Sequence, residues 1–248
     1  MVKIESLSDA KKFLTAPRNG VAEFFSVPNF DFTGKKVVVL GNSTALNHVD
    51  TSLLRRVTTF GVNRICRVLT PDVLLFTDPP ILKSEEEYYR KFTGPVLTWQ
   101  SYERSWMHDN PNLRFFNLTP VTEIAAWRWP KLKTDPLIRQ GTTPSYCLQM
   151  AVLGGAKSVA ILGIDFSAPS IAASGKTHFY GNGFQQGSTG GGDWSRPENA
   201  AFFSKFPEWA LEFGVKAYNL SPFKDTPIHN AKWPKVTLEE YVKDDFDS

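Results

Sequence analysis

Runs of apolar residues that stop abruptly at a small or polar residue recur along this chain. Lys36–Leu40 carries four apolar residues in a row, three of them valine, and stops at Gly41-Asn42-Ser43-Thr44. An unbroken apolar run of this length predicts a parallel strand buried on both faces, whereas a strand with one wet face would alternate. The same pattern predicts strands over 57–62, ending at Asn63-Arg64, and over Val73–Phe76, ending at Thr77-Asp78-Pro79-Pro80. Further strands are predicted at Val96–Trp99, 112–118, 157–163 and 215–220.

Between them the apolar period changes to that of a helix. A charged helix is predicted over 81–92, and a short one over 8–14, capped by Ser8. Gly141-Thr142-Thr143-Pro144 opens another, with Pro144 suited to the first turn. Tyr146, Met150 and Leu153 continue one face of it to Gly154-Gly155. Phe202, Phe203, Phe206, Trp209, Ala210 and Phe213 predict a helix over 200–213, which Pro207 should kink or split. Residues 1–34 read as a covering segment. Residues 167–198, with Gly181-Asn182-Gly183 and a glycine-rich run from Gly187 to Gly192, read as a flexible lid. The expectation is one α/β domain over 1–248 with a lid insert at 167–198.

Composition narrows the class only a little. The 248 residues, 42% hydrophobic, are enough for one domain with a substantial core. A net charge of +3 is too small to argue for nucleic acid, although it suits an anionic ligand. Cys66 and Cys147 form no Cys-x-x-Cys pair and are expected to be free thiols. With neither a signal-peptide core at the start nor an apolar run of membrane length, the expectation is a soluble, cytoplasmic protein.

Candidate chemistry gathers at the predicted strand ends, where open parallel sheets bind their ligands. Gly41 would allow close backbone approach, and the following turn could receive phosphate or ribose oxygens. Its spacing matches neither a dinucleotide fingerprint nor a P-loop, and an ordinary capped turn would look the same. Asn63 and Asp78 could fix a base or ribose, or could simply shape their turns. Gly141, Thr142 and Thr143 stand where a helix start would attract an anion, with Arg139 nearby. His178 could serve as acid or base near neutral pH. Trp127 and Trp129 could stack on a ligand but are better placed in the core.

Taken in order, several of these stretches resemble the sialyltransferases of glycosyltransferase family 42. They are Val39-Leu40-Gly41-Asn42-Ser43, Phe60-Gly61-Val62-Asn63-Arg64, and Pro71-Asp72 through Asp78-Pro79. They continue with Gly141-Thr142-Thr143, Leu162-Gly163-Ile164-Asp165-Phe166, Thr177-His178-Phe179-Tyr180-Gly181 and Tyr218-Asn219-Leu220-Ser221-Pro222. The resemblance extends to the motility-accessory glycosyltransferases and the hydroxymethylpterin pyrophosphokinase-like group. It implies a Rossmann-like, predominantly parallel sheet with helices on both faces, a GT-A-like variant. It also implies a bound nucleotide, commonly CMP linked to an acidic sugar, without an obligatory metal. Gly41, Asn42, Ser43, Thr44, Asn63, Asp78, Gly141, Thr142 and Thr143 would then hold the nucleotide, and 167–198 would close over the donor.

The chain departs from that pattern in two places. The family's acceptor-activating histidine falls where Asn182 stands, and its phosphate-stabilising tyrosines fall at Ser167, Ala168 and Pro169. Either His178 or Tyr180 has taken over, with Asp165 as a further candidate base, or the donor or reaction differs. A sialyltransferase is therefore not the expectation. The expectation is an inverting glycosyltransferase-like enzyme using a nucleotide-activated sugar, CMP-linked by preference, with no obligatory cofactor. Its acceptor would be a glycan or another hydroxyl-bearing polymer, and homo-oligomerisation stays open. Two alternatives remain: Mg²⁺-dependent pyrophosphokinase-like phosphoryl transfer using carboxylates such as Asp78 and Asp165, and a non-catalytic nucleotide-binding protein.

Overall fold

A computed structural model of the chain describes residues 30–99, 113–116, 127–133, 135–139, 142–166, 178–179 and 196–243. Among them seven strands form one sheet: β1 (Lys36–Leu40), β2 (Thr58–Val62), β3 (Val73–Phe76), β4 (Val96–Trp99), β5 (Leu113–Phe116), β6 (Ser158–Leu162) and β7 (Lys216–Asn219). Every neighbouring pair is parallel, in the order β5-β4-β3-β2-β1-β6-β7. The chain starts in the middle, builds outward through β5, then returns to the other side of β1 with β6. The order therefore reverses between β1 and β6, which in such sheets marks the ligand crevice. The expected α/β architecture is the one observed.

The unbroken apolar runs have the predicted cause. Val37 and Val39 face one layer with Phe60, Val62, Leu75, Val159 and Ile161, while Val38 and Leu40 face the other with Leu74, Phe76, Ala160 and Leu162. The first layer is covered by α3 (Thr143–Leu153) and α4 (Pro197–Glu212). Over the second lie α1 (Pro79–Ser84), α2 (Glu86–Arg90) and α5 (Leu238–Val242), with 3-10 turns at Thr44–His48, Thr51–Arg56 and Asn63–Arg67. Both cysteines are free thiols, and burial raises the pKa of Cys66 to about 12. Trp127 and Trp129 pack around Phe202 and Trp209. No helix among the described residues is long and apolar enough to cross a membrane.

Two helical expectations need correction. The single charged helix over 81–92 is instead α1 and α2, broken at Glu85, whose side chain turns into the protein. Pro207 does not split the helix over 200–213, which starts earlier and runs unbroken from Pro197 to Glu212. Proline at 207 has no N–H for the carbonyl four residues back, that of Phe203. The indole Nε1–H of Trp233 donates to that carbonyl at 2.6 Å and satisfies it from outside the helix. Replacing Trp233 by Phe should strand the Phe203 carbonyl and cost about 1–3 kcal/mol. A urea titration should show the lowered midpoint, and a smaller loss in a Pro207→Ala background, where residue 207 regains a donor. The predicted helix over 8–14 and most of the lid lie outside the described residues. Of 167–198, the structure describes 178–179 and 196–198, and Pro197 and Glu198 already belong to α4.

Candidate functional site

At the end of β1 the backbone is drawn against β6. The Gly41 N–H donates to the Leu162 carbonyl at 2.8 Å, and the Ser43 N–H donates to the Gly163 carbonyl at 3.0 Å. A Cβ on Gly41 would stand 2.1 Å from the Gly163 carbonyl oxygen, so glycine is required there by the approach of the two strands. The Ser43 hydroxyl accepts the Ala45 N–H at 3.0 Å and donates to Asp165 Oδ2 across the same junction. Ser43 thus caps the turn at Thr44–His48, whose first residue, Thr44, is buried. Asn42 is arranged differently. Its carbonyl accepts the Phe179 N–H at 3.0 Å, while its Oδ1 is buried with no hydrogen-bond partner among the described residues.

Asp165 follows β6 and is 2% exposed. Burial pushes its carboxyl above the ordinary range; Ser221, Ser43 and the charge of Lys235 pull the other way, and Asp225 adds to the rise. Its Oδ1 meets no hydrogen-bond geometry among the described residues, although the Ser221 hydroxyl lies near enough to favour the charged form. The side chain that could have been a base is therefore bound to Ser43, across the β1–β6 junction.

The ends of β2 and β3 form the next part of the edge. Asn63 leaves β2 with a φ of 52°, in the left-handed region, and its Oδ1 is also buried and unpartnered among the described residues. A non-glycine residue held in that region is a local strain of a kind that gathers at ligand sites. Asp78 precedes α1, makes no side-chain cap to it, and keeps much of its surface in solvent. Partial burial nudges its carboxyl upward, and the charge of Arg64 acts against that shift. Next to it, the hydroxyls of Thr77 and Thr143 lie 2.6 Å apart, tying the end of β3 to the start of α3.

Thr142 is the N-cap position of α3 and makes no side-chain cap; in the first turn Pro144 has no N–H and the Ser145 N–H donates to the Thr142 carbonyl at 3.3 Å. Gln149 of α3 accepts the Ile138 N–H at 2.7 Å and donates to the Ile138 carbonyl at 3.2 Å. That clamp holds the neighbouring Arg139 with its guanidinium 4.5 Å from the Trp99 ring, at the end of β4. Asp78 and Asp165 stand at strands with two others between them, about 14 Å apart at about 4.8 Å per strand, too far to share one ion.

His178 reaches this edge through Phe179, whose N–H is bound at Asn42. Burial lowers the pKa of its imidazole and the positive charge of Arg64 lowers it further, so the ring is neutral at pH 7 and able to take a proton. His178, Asn42, Asn63 and Asp78 are thus neighbours along β1, β2 and β3, with Thr142 and Thr143 beside them. Gly141 and Tyr180 lie outside the described residues.

Sequence reasoning missed Arg64, Arg67 and Glu85. Glu85 is fully buried and accepts from Arg64 Nε at 2.9 Å and from Arg67 Nε and Nη2 at 2.7 Å each. Burial alone would raise its carboxyl, but Arg67, Ser84 and Arg64 together hold it below the ordinary value. The available signal was its position: Glu85 falls four residues after Ile81 and four before Tyr89, on the apolar face of the helical pattern.

No protein-family model and no curated protein sequence matches the chain. Among solved structures it is similar to the sialyltransferase CstII from Campylobacter jejuni in complex with a substrate analogue, cytidine-5'-monophosphate. The likeness has a TM-score of 0.51 at 13% identity and covers 86% of this chain and 88% of that one. CstII in complex with CMP-3FNeuAc gives a TM-score of 0.44 at 14% identity over 82% and 86%, too low to carry an argument. At such identity the likeness is one of fold: a sialyltransferase-like α/β sheet.

Proposed function

We propose that this chain is an inverting glycosyltransferase-like enzyme that uses a nucleotide-activated sugar, CMP-linked by preference, without an obligatory metal. The observation that carries the reading is a pair of buried oxygens, Asn42 Oδ1 and Asn63 Oδ1, with no hydrogen-bond partner among the described residues, at adjacent strand ends beside His178. Buried acceptors without donors are costly, and a ribose hydroxyl or a cytosine amine supplies what they lack. The CMP-bound CstII, similar in fold, supports cytidine as the base.

The chemistry follows from the neighbours of that pair. An acceptor hydroxyl attacks the anomeric carbon and gives its proton to neutral His178. The bond from that carbon to the phosphate oxygen breaks, and the nucleotide leaves with the electron pair on its phosphate. The N-terminus of α3 at Thr142 and Thr143, with Arg139, faces the charge that develops there.

A thermal-shift panel of CMP, CDP, UDP, GDP and ADP tests the reading. A nucleotide at a hundred times its Kd adds about 2.7 kcal/mol, roughly 5–10 °C in Tm for a chain of this size. CMP is expected to give the largest rise. The reading fails if no nucleotide stabilises the protein, or if the purine nucleotides do so and CMP does not.

A further inference from the structure

The turn after β1 is pinned on both sides of Asn42. The Gly41 N–H is bonded to Leu162 at 2.8 Å and the Ser43 N–H to Gly163 at 3.0 Å, and the Ser43 hydroxyl reaches Asp165. The Asn42 carbonyl shares its peptide plane with the Ser43 N–H, and in a trans peptide the two point opposite ways. Fixing that N–H on Gly163 therefore also fixes the carbonyl, which points away from β6 and accepts the Phe179 N–H at 3.0 Å. The Phe179 side chain is half-buried and packs against the second apolar layer, which includes Leu40, Leu46, Leu162 and Leu220. One residue is thus held twice. Its backbone bond sets where it sits along the sheet edge, and its ring resists rotation about that bond. His178 is the residue before it, about 3.8 Å away from Cα to Cα.

We propose that Phe179 is the positioning residue for His178: its N–H on the Asn42 carbonyl and its ring on the second apolar layer fix where the imidazole stands. This deepens the nucleotide-sugar reading and rests on it, since it is that reading which makes His178 the base. Asn42 then serves both partners of the reaction. Its Oδ1, buried with no hydrogen-bond partner among the described residues, is assigned to the nucleotide, while its carbonyl holds the segment that carries the base. Donor and base are placed by reference to the same rigid turn. Proton transfer needs heavy atoms within hydrogen-bond reach, and a displacement of about 1 Å can cost about 10²-fold in rate.

The test compares Phe179→Ala with Phe179→Leu, which refills the apolar seat. In the ligand-free protein the His178 ring is followed by proton NMR across pH. The chain has four histidines, so the signal is assigned by its loss in His178→Gln. Burial, and then the charge of Arg64, lower its midpoint in the folded protein. Unseating the ring in Phe179→Ala should bring the midpoint up toward the ordinary histidine value of about 6.5. In the same variant kcat for sugar transfer should fall by about 10–100-fold with the Kd for CMP within about threefold. Phe179→Leu should restore both midpoint and kcat. A ring that merely covered the core would lower Tm and leave the midpoint and kcat of Phe179→Ala where they are in the wild-type protein, which overturns the proposal. Equal impairment of the leucine and alanine variants overturns it too. The thermal-shift panel reads nucleotide binding separately, so a midpoint that responds in a protein that no nucleotide stabilises would fail the nucleotide-sugar reading and leave the seat of His178 standing.

Discussion

Replacing Glu85 by glutamine is expected to cost about 3–5 kcal/mol, the range for removing one partner of a buried ion pair. The amide would keep the shape of the carboxylate but remove the negative charge beside the largely buried Arg64, and since its NH₂ group cannot accept, Arg67 would lose one of its two 2.7 Å bonds to Glu85. The same change at Glu86, paired with Arg90 on the surface of α2, should cost no more than about 0.5 kcal/mol. Urea titrations of the two variants give the comparison, and a Glu85→Gln loss no larger than that of Glu86→Gln would sink the assignment.

The pH dependence has a definite sign. Glu85 is held below its ordinary value in the folded protein. Its contribution is therefore complete above the unfolded value, near pH 4.3, and disappears as pH falls through the folded value. Asp165 works in the opposite direction: its folded value is raised, so its linkage favours the folded state on acidification. The gap between wild type and Glu85→Gln isolates the first term. It should stay constant near neutrality and close below about pH 4.

Local pattern was enough for the parts of the fold that are locally determined. Val37 to Leu40 must be buried on both faces, and glycine must follow, so β1 could be read to the residue; β3 and β4 share that logic. The failures are non-local. Pro207 is tolerated because of Trp233, 26 positions later, and no helical period contains that donor. Glu85 breaks a helix because two arginines from an earlier turn are waiting for it. Asn63 and Asp78 were legible as the residues that follow strands of a parallel sheet, because the apolar runs before them end there. The tie from Ser43 to Asp165 spans 122 positions, and it engages the residue that was a candidate base. Arg64 was legible only as the residue after a strand end, because its carboxylate partner Glu85 lies 21 positions later.

His178→Ala is expected to lower kcat for sugar transfer by about 10²–10⁴-fold, the usual contribution of a positioned general base. CMP affinity should stay within a few-fold, because the nucleotide is assigned to Asn42, Asn63 and the start of α3. The pH profile separates a base from a structural histidine. As the proposed base His178 would act in its neutral form, and both burial and Arg64 favour that form. The rate of the wild-type enzyme should therefore climb with pH through a midpoint below the ordinary histidine value of about 6.5 and level off before neutrality. In Arg64→Gln the climb should move to higher pH, since the opposing charge is gone. In His178→Ala it should vanish, leaving a low, flat rate. A His178→Ala enzyme that keeps the acid limb, with kcat within about threefold of wild type, would show that another group takes the proton. The fall expected here is one that an intact nucleotide site cannot make up, because holding the donor does nothing to remove the acceptor's proton.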